Sequence, residues 1–328
     1  MNGKPKTISP ATAPVDAGSQ GGIGQEGFRA WRQHTLKTPI SCVGVAVHSG
    51  RRVALTLHPA PSDHGIAFRR IDLGRTITAG FKQVVDTHLA TVIADARWAS
   101  ARVGMIEHLM AAFAAKGIDN ALVDVDGPEL PILDGSAAPY MFLLDCAGMV
   151  EQNAARRLIE VRRPVRVTDG EAFAELRPIG GHALPPVLEL EVSIDFRAAA
   201  IGRQSHTLRL DADRFREDVA RARTFAQAVE IEQLRAAGYA LGGSLENAVV
   251  VDGANVLNPD GLRMDNEFAR HKLVDAVGDL ALAGAALHGR FVAHRTGHGL
   301  NNKLLHALFA SQASWRHITA RPLDAVAA

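Results

Sequence analysis

The chain has 328 residues, 47% hydrophobic and 22% charged, with a formal net charge of +1. That balance, with aromatics at 5%, argues against a nucleic-acid platform, and no uninterrupted apolar run of about 18 residues offers an integral membrane segment. Two cysteines, Cys42 and Cys146, without a CxxC pair, fit a reducing cytoplasm, and the length suits two domains rather than one core.

Residues 1–27 are rich in Gly, Ser, Thr, Pro and Ala with no apolar stretch, and read as a disordered extension. Two β-rich runs over 38–48 and 51–57 flank Ser49-Gly50 and predict a hairpin. Strands are expected over 65–70 and 91–93, then a helix over 104–116 closed by Gly117, a strand over 121–126 and an apolar helix over 137–146. The second half repeats this order. A hairpin of 158–167 with 171–176 turns at Asp169-Gly170, and strands follow over 188–196 and 207–211. An amphipathic helix over 212–238 and a Gly- and Val-rich stretch over 241–257 read as a βαβ-like insert. A helix from Glu267 that continues through Leu287, a strand over 290–294 and a helix over 301–313 complete the chain. The expected fold is α+β, a duplication of two similar domains over 28–154 and 155–315, each with helices laid on a mixed sheet and facing the other's helices across the active site, with 316–328 as tail.

The chemistry concentrates on the helix that starts at Glu267. At 3.6 residues per turn, His271, Asp275 and Asp279 fall on one stripe of an otherwise apolar segment. Burying them without partners costs several kcal/mol, and imidazole with carboxylate suits zinc or ferrous iron. Read alone, the spacing also fits an ordinary helical hydrogen-bonded pair. His108 occupies the matching helix of the first half. If the halves pack face to face, His108, His271 and Asp275 make a three-ligand set with a position left for water, and Glu107 beside them is a candidate general base. His298 lies between glycines in Arg295-Thr296-Gly297-His298-Gly299, where it reads as a loop histidine held protonated by Asp279.

Seven stretches then coincide with one family: Val43-Gly44-Val45-Ala46-Val47-His48-Ser49-Gly50, Ile106-Glu107-His108-Leu109, Asp134-Gly135-Ser136-Ala137-Ala138-Pro139, Arg221-Ala222-Arg223-Thr224-Phe225, Leu241-Gly242-Gly243-Ser244, the segment His271 to Asp279, and Gly297-His298-Gly299-Leu300-Asn301-Asn302-Lys303. Over about 33–315 the chain resembles the UDP-3-O-acyl-N-acetylglucosamine deacetylases, zinc enzymes of the committed step of lipid A synthesis in Gram-negative bacteria. The resemblance implies metal ligands at His108, His271 and Asp275, with Zn2+ or Fe2+ as the ion. It implies a general base at Glu107, a charged His298 backed by Asp279, and Thr224 near the oxyanion. Phe225 would pack on the sugar, with Lys272 near the diphosphate of a UDP-sugar acyl substrate. It also implies a passage for the acyl chain in the insert, about 224–255, with Val229, Ile231, Leu234, Leu241, Val249 and Val250 as lining. Two positions depart from the pattern: Ala90 stands where some members have a cysteine, and Arg295 stands for a substrate-binding lysine, keeping charge but not geometry. The C-terminal tail raises a regulatory protease as a partner, although its match to such a signal is not carried over. The HExxH of a zinc peptidase is absent, since Ala112 stands four residues after His108.

Overall fold

The computed structural model describes residues 31–180 and 186–319. The extension expected over 1–27 and tail residues 320–328 lie outside them. The described chain begins with β1 (Arg32–Leu36) and a hairpin, β2 (Ile40–Val45) and β3 (Arg52–Pro59), followed by β4 (Ile66–Arg70), β5 (Arg75–Thr78), β6 (Val84–Asp86), β7 (Val92–Asp95) and β8 (Trp98–Val103). Helix α1 (Glu107–Lys116), strand β9 (Ala121–Val125) and helix α2 (Ala138–Ala147) come next, and β10 (Met149–Ala155) returns to pair antiparallel with β1. The order β2-β3-β9-β4-β5 makes one mixed sheet whose parallel pair is β4 with β9, while β6, β7 and β8 form a small antiparallel sheet.

The second half holds β11 (Arg157–Val161), β12 (Val165–Asp169), β13 (Ala172–Arg177), β14 (Leu188–Asp195) and β15 (Arg203–Arg209), then β16 (Phe225–Gln227), α3 (Ala228–Ala236), β17 (Val249–Asp252) and β18 (Asn255–Val256). It ends with α4 (Glu267–Ala281), β19 (Ala286–His294), α5 (His298–Ala310) and β20 (Trp315–Thr319). β19 is the spine of a seven-stranded mixed sheet, antiparallel to β13 and parallel to β11 and β14 on its other edge. The fold is thus α+β with several mixed sheets, as the alternation of strand and helix signals implies.

Four expectations are corrected. The helix expected over 212–238 breaks into a short helical stretch over 212–219, strand β16 and helix α3. Tertiary pairing overrides helical propensity there: Thr224 N–H donates to the Gly135 carbonyl, Val249 N–H to the Thr224 carbonyl, and Phe225–Gln227 pairs parallel with Val249–Val251. With α3 as crossover, β16 and β17 do form a βαβ unit. The strand expected over 158–167 is two strands, because Pro164 lacks the N–H to continue a ladder, so β11 pairs with β19 and β20 while β12 pairs with β13. The helix from Glu267 stops at Ala281, and part of its expected continuation is the start of β19. Residues 316–319, expected as tail, belong to β20, which pairs antiparallel with β11.

α1 and α4 pack directly on one another, eight of ten and twelve of fifteen residues respectively being buried. Gly278 makes this crossing close: a Cβ there would lie 2.0 Å from the Glu107 carbonyl oxygen. A Gly278→Ala substitution is expected to force the helices apart and cost about 1–3 kcal/mol or more. A calorimetric midpoint equal to that of the unaltered chain would contradict the crossing.

Candidate active site

Three elements bring the polar side chains together. The first turn of α1 supplies Glu107 and His108, one stripe of α4 supplies His271, Asp275 and Asp279, and the start of α5 supplies His298. All six are buried, Glu107 to 2% exposure. Asp275 Oδ1 lies 3.7 Å from His108 Nε2 and 3.4 Å from His271 Nε2, and the two imidazoles meet edge to face with centroids 5.0 Å apart. One ligand atom from each of His108, His271 and Asp275 falls within 4.8 Å of the others. The His271 Nδ1–H donates to the Ala222 carbonyl at 3.0 Å, which leaves Nε2 with its lone pair toward Asp275. These three residues therefore fit a divalent ion by donor type, tautomer and spacing.

The electrostatics agree with that fit. Burial pushes His271 down to about 4, so it stays neutral, the form in which imidazole binds a metal. Burial would raise Asp275, but His271 and Lys272 outweigh it and hold the carboxyl well below its ordinary value; the Lys272 ammonium donates to Asp275 Oδ2 at 2.7 Å. Burial raises Glu107 above the usual carboxylate range, with His298 and His108 opposing.

His298 is the first residue of α5 rather than a loop residue, because extended Gly297 caps the helix. An imidazolium at a helix N-terminus is disfavoured by the dipole, and burial disfavours it further. The Asp279 carboxylate, accepting from His298 Nδ1 at 2.9 Å, overcomes this and raises the pKa to about 10. Asn301 Nδ2 donates to the same Asp279 oxygen at 2.8 Å, and Thr91 Oγ1 donates to the other at 2.5 Å. Thr91 N–H also donates to Glu107 Oε2 at 3.1 Å, and Glu107 Oε1 lies 3.9 Å from His298 Nε2. Left-handed backbone at Leu89 (φ 65°), Met105 (φ 58°), Asn266 (φ 54°) and Arg295 (φ 51°) precedes Thr91, α1, α4 and the His298 turn. Strain of order 1 kcal/mol or more at each is held by the surrounding packing.

A cavity of about 500 Å3 opens over this cluster. Glu107, His108, Thr224, Phe225, His271, Lys272, Asp275, Arg295 and His298 all line it, and Asp279 stands behind His298. Phe225 packs edge-on against Phe268 and lies near His271, its centroid 5.6 Å from Lys272 Nζ. A second cavity of about 390 Å3, walled by Phe196, Arg197 and Gln227, shares Lys272 and Arg295 with the first. Arg295 is paired with Glu171 at 2.7 Å, on the β12–β13 turn at the rim. The six residues expected to line an acyl passage divide: Val249 and Val250 are buried in the core, whereas Val229 is 73% exposed and Leu241 54% exposed. Ile231 and Leu234 are half-buried on α3.

Sequence reasoning missed the supports of the site. Thr91, Asn301 and the Ala222 carbonyl carried no signal beyond lying in or near quoted motifs. The same holds for the pair Arg223–Glu267. Glu267, 0% exposed, accepts from Arg223 Nε at 2.8 Å and from the backbone N–H groups of Arg223 and Arg263. This pair ties the Thr224-Phe225 wall to the start of α4, and losing one partner would strand a buried charge at a cost of about 3–5 kcal/mol.

A family profile described as UDP-3-O-acyl N-acetylglycosamine deacetylase matches residues 33–310. The chain is 47% identical over 291 residues to the UDP-3-O-acyl-N-acetylglucosamine deacetylase of Acidithiobacillus ferrooxidans, covering 88% of this chain and 93% of that one. Proteins of the same name from Shewanella loihica and Pasteurella multocida are 46% and 44% identical, again over 88% of this chain and over 92% and 93% of theirs.

Proposed function

Since the chain belongs to the UDP-3-O-acyl N-acetylglycosamine deacetylase family, and is thereby a hydrolase of amide bonds, we propose that it removes the N-acetyl group of UDP-3-O-(3-hydroxyacyl)-N-acetylglucosamine in the committed step of lipid A synthesis. The observation that carries this reading is the buried His108, His271 and Asp275 set with Glu107 and the His298–Asp279 pair beside it, under a cavity with room for the substrate's sugar. His108, His271 and Asp275 hold the metal, Zn2+ or alternatively Fe2+. That ion supplies Lewis-acid polarisation of the amide carbonyl and of water.

Glu107 Oε1, the oxygen Thr91 leaves free, takes a proton from the attacking water as oxygen adds to the carbonyl carbon. His298, protonated at Nε2, and the Thr224 hydroxyl donate toward the carbonyl oxygen as it gains charge; a single such donor contributes about 3 kcal/mol. The C–N bond then breaks, acetate leaves, and the sugar amine collects a proton from Glu107 or His298. Phe225 lies against the sugar, and Lys272 and Arg295 take the diphosphate, Arg295 exchanging Glu171 for it. The acyl chain follows the insert over 224–255, along half-buried Ile231 and Leu234 and exposed Val229 and Leu241 rather than core Val249 and Val250. No helix among the described residues is long and apolar enough to cross a membrane, which is compatible with work in the cytoplasm. In this reading α1–β9–α2 and α4–β19–α5 are copies of one unit, with domains over 28–154 and 155–315 and a regulatory protease left to the tail.

The test is acetate release from the UDP-3-O-acyl sugar by the zinc-replete full chain, followed together with appearance of the free 2-amine. Stoichiometric release of both is expected. A folded, metal-loaded protein that releases neither would sink the reading.

A further inference from the structure

Thr91 is 2% exposed and makes two hydrogen bonds to groups from different halves of the fold. Its backbone N–H donates to Glu107 Oε2 on α1 at 3.1 Å, and its hydroxyl donates to Asp279 Oδ1 on α4 at 2.5 Å. The two carboxylates use their remaining oxygens on the reaction side. Asp279 Oδ2 accepts from His298 Nδ1 at 2.9 Å, and Glu107 Oε1 lies 3.9 Å from His298 Nε2. Thr91 thus closes a ring of contacts, Glu107 to Thr91 to Asp279 to His298 and back to Glu107. Among the described residues, the other hydrogen-bond partners of the Asp279 carboxylate come from α5, namely His298 and Asn301. Among the same residues Thr91 is its one hydrogen-bond partner from the first half.

We propose that Thr91 is a positioning residue for the hydrolysis, setting the distance between the base Glu107 and the proton-bearing His298 by holding one oxygen of Glu107 and one of Asp279. Its threonine character matters for the Asp279 arm. The hydroxyl is the donor to Asp279, and a β-branched side chain has few χ1 wells among which that donor can wander. The backbone donor survives any substitution but proline, so a change of side chain disturbs the Asp279–His298 arm and leaves Glu107 held. The residue touches none of the three residues assigned to the metal in the contacts above, so metal content is expected to stay constant.

This inference rests on the deacetylase reading, and two measurements separate them. In kinetics, the isosteric Thr91→Val substitution is expected to lower kcat about 10- to 100-fold with KM near that of the unaltered chain, and Thr91→Ser, which restores the hydroxyl, to recover kcat to within about threefold. A Thr91→Val enzyme with unchanged kcat, or a Thr91→Ser enzyme as impaired as the valine form, would overturn the proposal while leaving the deacetylase reading intact. The second measurement needs no substrate. The imidazole N–H that His298 donates to Asp279 gives a low-field proton resonance, identified by its loss in His298→Gln. It is expected to shift in Thr91→Val and to keep its position in Thr91→Ser. A resonance unmoved by the valine substitution would overturn the positioning role even if the chain turned over no acylated sugar at all.

Discussion

Removal of divalent metal is expected to abolish amide hydrolysis, by about a thousandfold or more, and to lower the thermal midpoint of the same sample. The first effect follows from the loss of Lewis-acid polarisation at the carbonyl and the water. The second follows from where His108, His271 and Asp275 sit: one ligand is on α1 and two are on α4, so an ion there ties the two helices and binds only the folded state. At a thousandfold excess over Kd this linkage contributes roughly 4 kcal/mol, on the order of 10 °C for a chain of this size. Zinc added back to the stripped protein should restore activity and midpoint together. His271→Ala should show neither response, because its Nε2 is the lone pair that the Ala222 contact aims at the cluster. Full turnover by protein shown to be metal-free would rule out the assignment of these three residues, and a midpoint indifferent to metal would rule out their being shared across the helix pair.

The second large effect concerns Glu107. Glu107→Gln is nearly isosteric and keeps an oxygen to accept the Thr91 N–H, but the group left facing the cavity can no longer accept a proton. Removing a general base costs about 10²- to 10⁴-fold, and kcat is expected to fall within that range with one metal still bound. The pH profile adds an independent check. Burial raises Glu107, so its basic form is lost as pH falls through a value above the ordinary carboxylate range, giving kcat/KM an acid limb. Burial lowers His298 but Asp279 more than compensates, to about 10, so its proton is lost only well above neutrality and sets the alkaline limb. The residual activity of Glu107→Gln should lack the acid limb and keep the alkaline one. Turnover within about threefold of the unaltered chain would rule out Glu107 as the base.

Much of this arrangement was legible because it is periodic or punctuated. The four-residue spacing of His271, Asp275 and Asp279 in an apolar segment announced a buried polar stripe, and Gly117 marked the end of α1. The convergence of His108 with that stripe needed one further assumption, that the two helices face each other, and Gly278 against the Glu107 backbone is the contact that realises it. What was not legible depends on partners remote in sequence. Residues 220–227 have helical composition, yet Gly135, Val249 and Glu267 capture their backbone and Arg223, and no local pattern reveals that competition. Strand β1 is short and recognisable only through β10, more than a hundred residues later. Thr91 and Asn301 are ordinary polar residues until Asp279 is placed between them. Val249 and Val250 looked like lining because apolar residues of a passage and of a core are chemically alike; only burial separates them.

The burial of α1 against α4 also has a history in time. On a ribosome, residues 31–155 are complete long before Glu267–Ala281 exist, so α1 has its own sheet to fold on but not the helix that covers it. Over the roughly 125 residues between Ala155 and Ala281, at about 5–20 residues per second, that face waits on the order of 10 s. Eight of the ten residues of α1 are buried in the finished chain, where Gly278 of α4 meets the Glu107 backbone. The face that α4 covers therefore stays open until Glu267–Ala281 are made, and the active site comes into being in the same event that closes it.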